Sequence, residues 1–201
     1  MIEYGRVDID GSVLLVTDEE VSYRDRSLRT ADVWGIRYGI YKKYINEIRS
    51  HRSYKIWLAA GRDEQLEIEC AAGFLPSTST VEGRYEAALK ALWPAVTFPI
   101  LERFLEAFAD RREVEIAEVT FDGEGMHTNP RPGWLFKPAP AHLPWSKFAG
   151  HKFWEGRICL YREDKRWPVI SCSLRDDWNA VLIEPFLDRL FEAAKRAATM
   201  K

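Results

Sequence analysis

At 201 residues the chain has room for one large domain or two of about 100 residues each. Hydrophobic residues make up 46% and charged residues 30%, a globular mix, and a net charge of −2 excludes a global field that would draw the chain to nucleic acid or membrane. Three scattered cysteines (Cys70, Cys159, Cys172) exclude a disulfide framework and a CxxC metal site. The opening Met1-Ile2-Glu3-Tyr4-Gly5-Arg6 lacks the layout of a signal peptide, and no apolar run reaches the roughly 20 residues that span a bilayer. A reducing, cytoplasmic setting is expected.

In chain order, an early strand holds Val16-Thr17 and another holds Ala31-Asp32-Val33-Trp34-Gly35. Lys55-Ile56-Trp57-Leu58 and Leu66-Glu67-Ile68-Glu69-Cys70 alternate apolar and polar residues around the charged tip Gly61-Arg62-Asp63-Glu64, the pattern of a β-hairpin. A Ser/Thr-rich linker, Pro76-Ser77-Thr78-Ser79-Thr80, leads to a helical stretch with Tyr85, Ala88, Leu89 and Leu92, expected to stop at Pro94. A second helix, expected to start or kink at Pro99, carries Leu101, Phe104, Leu105 and Phe108 at helical intervals. The charged stretch Asp110-Arg111-Arg112-Glu113 marks a boundary.

The same parts then recur. Ile158, Leu160, Ile170 and Cys172 match Ile56, Leu58, Ile68 and Cys70 at a spacing of 102. Pro185-Phe186-Leu187-Asp188-Arg189 matches Pro99-Ile100-Leu101-Glu102-Arg103 at 86, Ser146-Lys147-Phe148-Ala149-Gly150 matches residues 31–35 at 115, and Val119-Thr120 matches Val16-Thr17. Ordered matches of this kind indicate a duplication. The expected architecture is α+β: unit 1 over residues 1–111, with insertions near 39–51 and 71–94, and unit 2 over residues 112–201. Unit 2 has its own irregular piece at 129–144, whose five prolines exclude a central strand.

Leu143-Pro144-Trp145-Ser146-Lys147-Phe148-Ala149-Gly150, the strands Ile158-Cys159-Leu160-Tyr161 and Val169-Ile170-Ser171-Cys172, and the helix opening Trp178-Asn179-Ala180-Val181-Leu182 resemble pleckstrin-homology-like (PH-like) domains of the bacterial type. The resemblance covers about two thirds of unit 2 and less of unit 1. It implies two tandem PH-like units, each a curved antiparallel sheet or partly open barrel closed by a C-terminal amphipathic helix. It also implies binding of phosphoinositides, peptides or proteins rather than catalysis. Lipid-binding members carry a basic cluster between their first two strands. Here Val7-Asp8-Ile9-Asp10-Gly11-Ser12 and Phe121-Asp122-Gly123-Glu124-Gly125 are acidic, which argues against inositol phosphates.

Two segments stand out as binding candidates. Residues 37–55 hold Arg37, Lys42, Lys43, Arg49, Arg52 and Lys55 against Glu47, interleaved with Tyr38, Tyr41, Tyr44 and Tyr54. Cations grip phosphates and rings stack on bases, so this composition suits nucleic acid or another anionic surface. The plainer alternative is a helix with Tyr41, Tyr44, Ile45 and Ile48 as its buried stripe. The proline-rich loop offers Trp134 and Phe136 as interface anchors, or as aromatics packed on their own domain. His51, His127, His142 and His151 stand in no metal-binding spacing, Cys70 and Cys172 read as buried strand residues, and Asp176-Asp177 reads as a helix cap. No catalytic residue, cofactor or metal is expected. The expected function is non-catalytic binding of a protein or peptide partner through an open sheet edge, the proline loop or the 39–51 insertion. The alternatives are an anionic ligand on residues 37–55 and, third, an unrecognised hydrolase. The sequence leaves a homo-oligomer open.

Overall fold

The computed structural model describes residues 1–45, 48–71, 78–128 and 140–199. It is an α+β structure with four open antiparallel sheets. Its contacts divide it into two units, residues 1–100 and 101–201; the division falls inside a helix, whereas the sequence places the boundary at 111.

The first unit opens with a four-stranded meander, β1 (Glu3–Ile9), β2 (Ser12–Thr17), β3 (Glu20–Tyr23) and β4 (Arg26–Arg29). The β1–β2 connection is Asp10-Gly11, with φ of 53° and 80°. Two left-handed residues make the hairpin turn whose twist matches its strands. After a 3-10 turn at Thr30–Asp32 comes a three-stranded meander, β5 (Val33–Ile45), β6 (Ile48–Ala60) and β7 (Glu64–Ala71). Leu14, Val16, Val21, Ile36, Ile56, Leu58, Leu66 and Ile68 are all fully or almost fully buried. Each such side chain contributes about 1.5–3 kcal/mol on burial. Helix α1 (Thr78–Leu92) lies against β1, β2, β6 and β7.

Pro94 does not stop that helix. The chain widens into a π-helical turn at Trp93–Thr97 and continues directly into α2 (Phe98–Arg111). Proline lacks an N–H and clashes with the carbonyl of the preceding turn, and the wider turn accommodates both defects.

The second unit repeats the order: a meander of β8 (Glu113–Ile116), β9 (Val119–Asp122), β10 (Gly125–Thr128) and β11 (Ala141–Pro144), and a 3-10 turn at Trp145–Lys147. A second meander follows, β12 (Phe148–Trp154), β13 (Arg157–Arg162) and β14 (Ile170–Ser173), and then a 3-10 turn at Ala180–Leu182 leads into α3 (Ile183–Thr199). Pro144 ends a strand on the border of its sheet, where a missing N–H costs no ladder bond. Its core is aromatic: Phe186 of α3 meets Phe121 at 5.1 Å and Phe108 of α2 at 5.8 Å between ring centroids. Asp176 and Asp177 are not a helix cap. Asp177 accepts the Ser173 N–H at 2.7 Å and Asp176 the Ser173 hydroxyl at 2.8 Å, so they close the turn after β14, well ahead of α3.

The correspondence between units extends to single bonds. Thr17 Oγ1 accepts the N–H groups of Glu19 and Glu20 at 3.2 and 2.9 Å; Asp122 Oδ1 accepts those of Glu124 and Gly125 at 2.7 and 2.9 Å. Thr30 donates its N–H to the Glu19 carbonyl and its hydroxyl to the Thr17 carbonyl. Trp145 donates its N–H to the Glu124 carbonyl and its indole N–H to the Asp122 carbonyl. Both second sheets then bulge at the same place, between Val33 and Gly35 and between Phe148 and Gly150. Thr17 therefore aligns with Asp122, two residues past the Thr120 that the sequence match selects. The later hairpins are also offset by two: Ile56 faces Ile68, but Ile158 faces Cys172. A shift of two leaves every side chain on its original face, so the apolar pattern tolerates it.

Candidate functional site

The units differ most at the tip of the β5–β6 hairpin. In the second unit β12 and β13 close at Trp154 and Arg157 through the two-residue turn Glu155-Gly156. The matched bulges bring Gly39 and Lys55 to that same level, and β5 and β6 run on to Ile45 and Ile48. The first insertion is thus an extension of a hairpin. This overturns the helical alternative for Tyr41, Tyr44, Ile45 and Ile48, which lie on β5 and β6. Their β-branched and aromatic character favours a strand, and pairing in register decides the matter.

The second insertion is α1, and it packs on the first. The Tyr54 ring lies 5.1 Å from that of Tyr85, and its hydroxyl donates to Glu82 Oε1 at 2.5 Å. Tyr38 meets Tyr85 edge-on at 6.4 Å. Burial pushes the Tyr38 hydroxyl up to about 12 and raises that of Tyr85 too. Arg84 of α1 forms an ion pair with Asp10 in the β1–β2 turn.

The opposite face of the sheet carries an ordered polar row. The Arg37 guanidinium stands 5.2 Å over the Trp57 ring, Tyr41 meets Trp57 edge-on at 5.9 Å, and the Lys55 ammonium lies 5.6 Å from the Tyr41 ring. From β7, Glu67 accepts the Trp57 indole N–H at 2.9 Å and pairs with Lys55, which also reaches Glu69 at 3.5 Å. Burial works to raise the Glu67 carboxyl, but its bonds from Lys55 and Trp57 outweigh that and hold it low. Trp57 is 7% exposed on an outward face because its neighbours cover it.

Of the residues singled out in the sequence, Arg37 and Tyr41 are brought together over Trp57. Lys42, Lys43, Arg49 and Arg52 lie on the extended strands, and their side chains fall outside the described residues, as do Trp134 and Phe136 entirely. Trp57, Glu67 and Glu69 were not selected from the sequence. Their signal is cross-strand register, which places Trp57 opposite both Arg37 and Glu67 and Lys55 opposite Glu69. Ile40 also escaped selection: it lies on the border strand β5 and is 54% exposed.

Other chemically active side chains have structural partners. Cys70, Cys159 and Cys172 are buried, and burial raises the Cys70 thiol to about 11 and the Cys172 thiol to about 12. His127 pairs with Asp122 at 2.8 Å and stacks on His142, and His151 contacts Glu184 at 3.1 Å. An open depression lined by Asp32, Gly61, Arg62, Asp63 and Glu64 sits at the β6–β7 turn, the end of the hairpin away from its tip. Among the described residues no group of three or more His, Cys, Asp or Glu is placed to hold a metal ion, and no helix is long and apolar enough to cross a membrane. No family model, curated protein or solved structure matches the chain.

Proposed function

We propose that the chain is a non-catalytic binding module for a protein or peptide partner, built from two PH-like units in tandem, and that the partner docks on the extended β5–β6 hairpin at Ile40. The repeated element order and the equivalent turn bonds support the tandem reading. One observation carries the docking reading: β5 is a 13-residue strand with Ile40 54% exposed, where its counterpart β12 has 7 residues. A long strand that carries an exposed apolar side chain suits the docking of an extended segment.

Ladder phase selects the test. A two-residue turn makes its flanking pair, Trp154 and Arg157, a hydrogen-bonded one. The matched bulge gives Gly39 and Lys55 the same phase, so Ile40 and Tyr54 form a non-bonded pair and the Ile40 N–H points outward. Ile40→Pro therefore removes an outward donor and no ladder bond. With the chain as bait in cell extract, a captured partner is lost in Ile40→Pro while the urea midpoint stays within about 1 kcal/mol of the parent. Undiminished capture by Ile40→Pro sinks the docking reading; loss in Trp134→Ala instead moves the site to the proline loop.

The density of cations on the extended strands favours a second reading, an anionic ligand. Salt-sensitive retention on heparin, lost in the double variant Lys42→Glu and Lys43→Glu, supports it; absence of retention at low salt removes it.

A further inference from the structure

We propose that the second unit holds a carboxylate-binding site between Lys152 and Arg157, filled by an acidic side chain of a partner peptide; it is independent of the docking at Ile40. His151 of β12 contacts Glu184 of α3, so its neighbour Lys152 lies on the face of the sheet turned away from that helix. The bulges and turns common to both units set Lys152 and Arg157 level with Arg37 and Lys55. Each unit thus places two cations on diagonal positions of one sheet face, within reach of each other for long side chains. The third strand differs. Glu67 and Glu69 stand opposite Trp57 and Lys55 in the first unit. The same positions in the second, opposite Cys159 and Arg157, are Ser171 and Ser173.

The cations therefore meet carboxylates in one unit and hydroxyls in the other. Lys55 pairs with Glu67 and reaches Glu69 at 3.5 Å. Arg157 instead donates from Nε to the Ser171 hydroxyl at 2.7 Å and from one terminal nitrogen to the Ser171 carbonyl at 2.8 Å. Those two bonds orient the guanidinium and leave its other terminal nitrogen for a ligand. The Lys152 ammonium lies 5.7 Å from the centre of the Tyr161 ring. Both cations are exposed, and among the described residues neither forms an ion pair. Two acidic residues flank them without pairing to either. Glu155 lies in the β12–β13 turn, and Asp176 takes the Ser173 hydroxyl and the Arg175 guanidinium. Charge-assisted bonds from two cations select an anion. A carboxylate is favoured because Glu67 and Glu69 bring that group to the equivalent face of the first unit.

The test is an NMR titration of the isotope-labelled full chain with the peptide acetyl-Ser-Glu-Ile-Glu-Ser-amide. Its counterparts carry Gln, or phosphoserine, in place of Glu. The Nε–H resonance of Arg157, identified by its loss in Arg157→Lys, and the backbone amides of β12 and β13 report binding. At about 20 mM salt the Glu peptide is expected to shift these resonances saturably and to bind about tenfold tighter than the Gln peptide. Lys152→Gln removes one exposed charge and weakens binding about tenfold, with an unchanged urea midpoint. Ser171→Glu supplies the chain's own carboxylate at the level of Glu67 and weakens binding to a similar extent. Ile40→Pro leaves it unaltered. No response to the Glu peptide, equal binding of Glu and Gln peptides, or binding that Lys152→Gln does not weaken each overturns the site and leaves the docking at Ile40 untouched. Binding of the phosphoserine peptide alone overturns the carboxylate assignment and gives the two cations to a phosphoryl ligand.

Discussion

Tyr85 joins the two features peculiar to the first unit, so its truncation tests whether α1 and the long hairpin form one assembly. Its ring faces both Tyr38 and Tyr54, and each aromatic pair contributes about 0.5–1.5 kcal/mol beyond area burial. Truncating a fully buried aromatic to alanine costs about 3–5 kcal/mol. Tyr85 is part-exposed, so Tyr85→Ala is expected to cost about 2–4 kcal/mol, a large share of the roughly 5–15 kcal/mol that holds a domain of this size. Tyr85→Phe keeps both ring contacts and stays within about 1 kcal/mol of the parent. Urea unfolding gives the energies, and amide hydrogen exchange locates them: protection falls at Gly39, Tyr54 and Lys55 in Tyr85→Ala and holds in β8–β11. A cost below about 1 kcal/mol, or unchanged exchange along β5 and β6, refutes the claim that α1 supports the hairpin.

Two further outcomes follow from the same geometry. Tyr38 and Tyr85 stay neutral in the folded chain to a higher pH than in the unfolded chain, so above about pH 10 the unfolded state sheds protons first and stability falls as pH rises toward 12. The shift of Tyr38 from 10.0 to about 12 sets its share at no more than about 3 kcal/mol. Urea midpoints at pH 8 and 11.5 should therefore drop less in Tyr38→Phe than in the parent, and an equal drop would contradict the assignment. Thr17→Ala and Asp122→Ala each remove the acceptor for two N–H groups in equivalent turns and should each cost about 1–2 kcal/mol by thermal melt. Burial works to raise the Asp122 carboxyl, but the Glu124 and Gly125 N–H groups and His127 outweigh it; its stabilisation is present above about pH 4 and lost as pH falls further, a loss that Thr17 does not share. A silent Thr17→Ala beside a costly Asp122→Ala would reduce the correspondence to topology alone.

The parts of this fold legible in sequence are those fixed by side-chain period. The alternation of Ile56, Leu58, Leu66 and Ile68 places four residues on one face, and they are buried. Proline at the start of α2 and α3 marks where those helices begin. Residues 37–55 were ambiguous because tyrosines three and four apart satisfy a helical stripe as readily as a strand, and strand pairing to β6 is a long-range fact that no local window contains. The continuation of the helix past Pro94 was hidden because the chain widens there into a π-helical turn, with the proline in its first two positions, which the α-helical period does not announce. The polar row of Arg37, Trp57 and Glu67 was hidden for a third reason: its members are far apart in sequence and meet only through cross-strand register.

The spacing differences of the repeat carry the functional argument further than its matches do. Two separate sequence features, a basic tyrosine-rich segment and a helical stretch around Tyr85, resolve into one addition to one unit, a long hairpin with a helix docked against it. Equivalent turn bonds in both units hold the common scaffold together without either addition, so the scaffold alone does not require them. The second unit leaves Phe153 and Trp154, the residues level with Tyr38 and Gly39, 49% and 55% exposed at the end of a short hairpin. In the first unit the residue level with Phe153 is Tyr38, half-buried against Tyr85 of α1, and the strand that bears it runs on to Ile45. Elaboration that lengthens a strand pair and supports it from one face gathers what is peculiar to the first unit onto β5 and β6, and it directs the search for a partner there first.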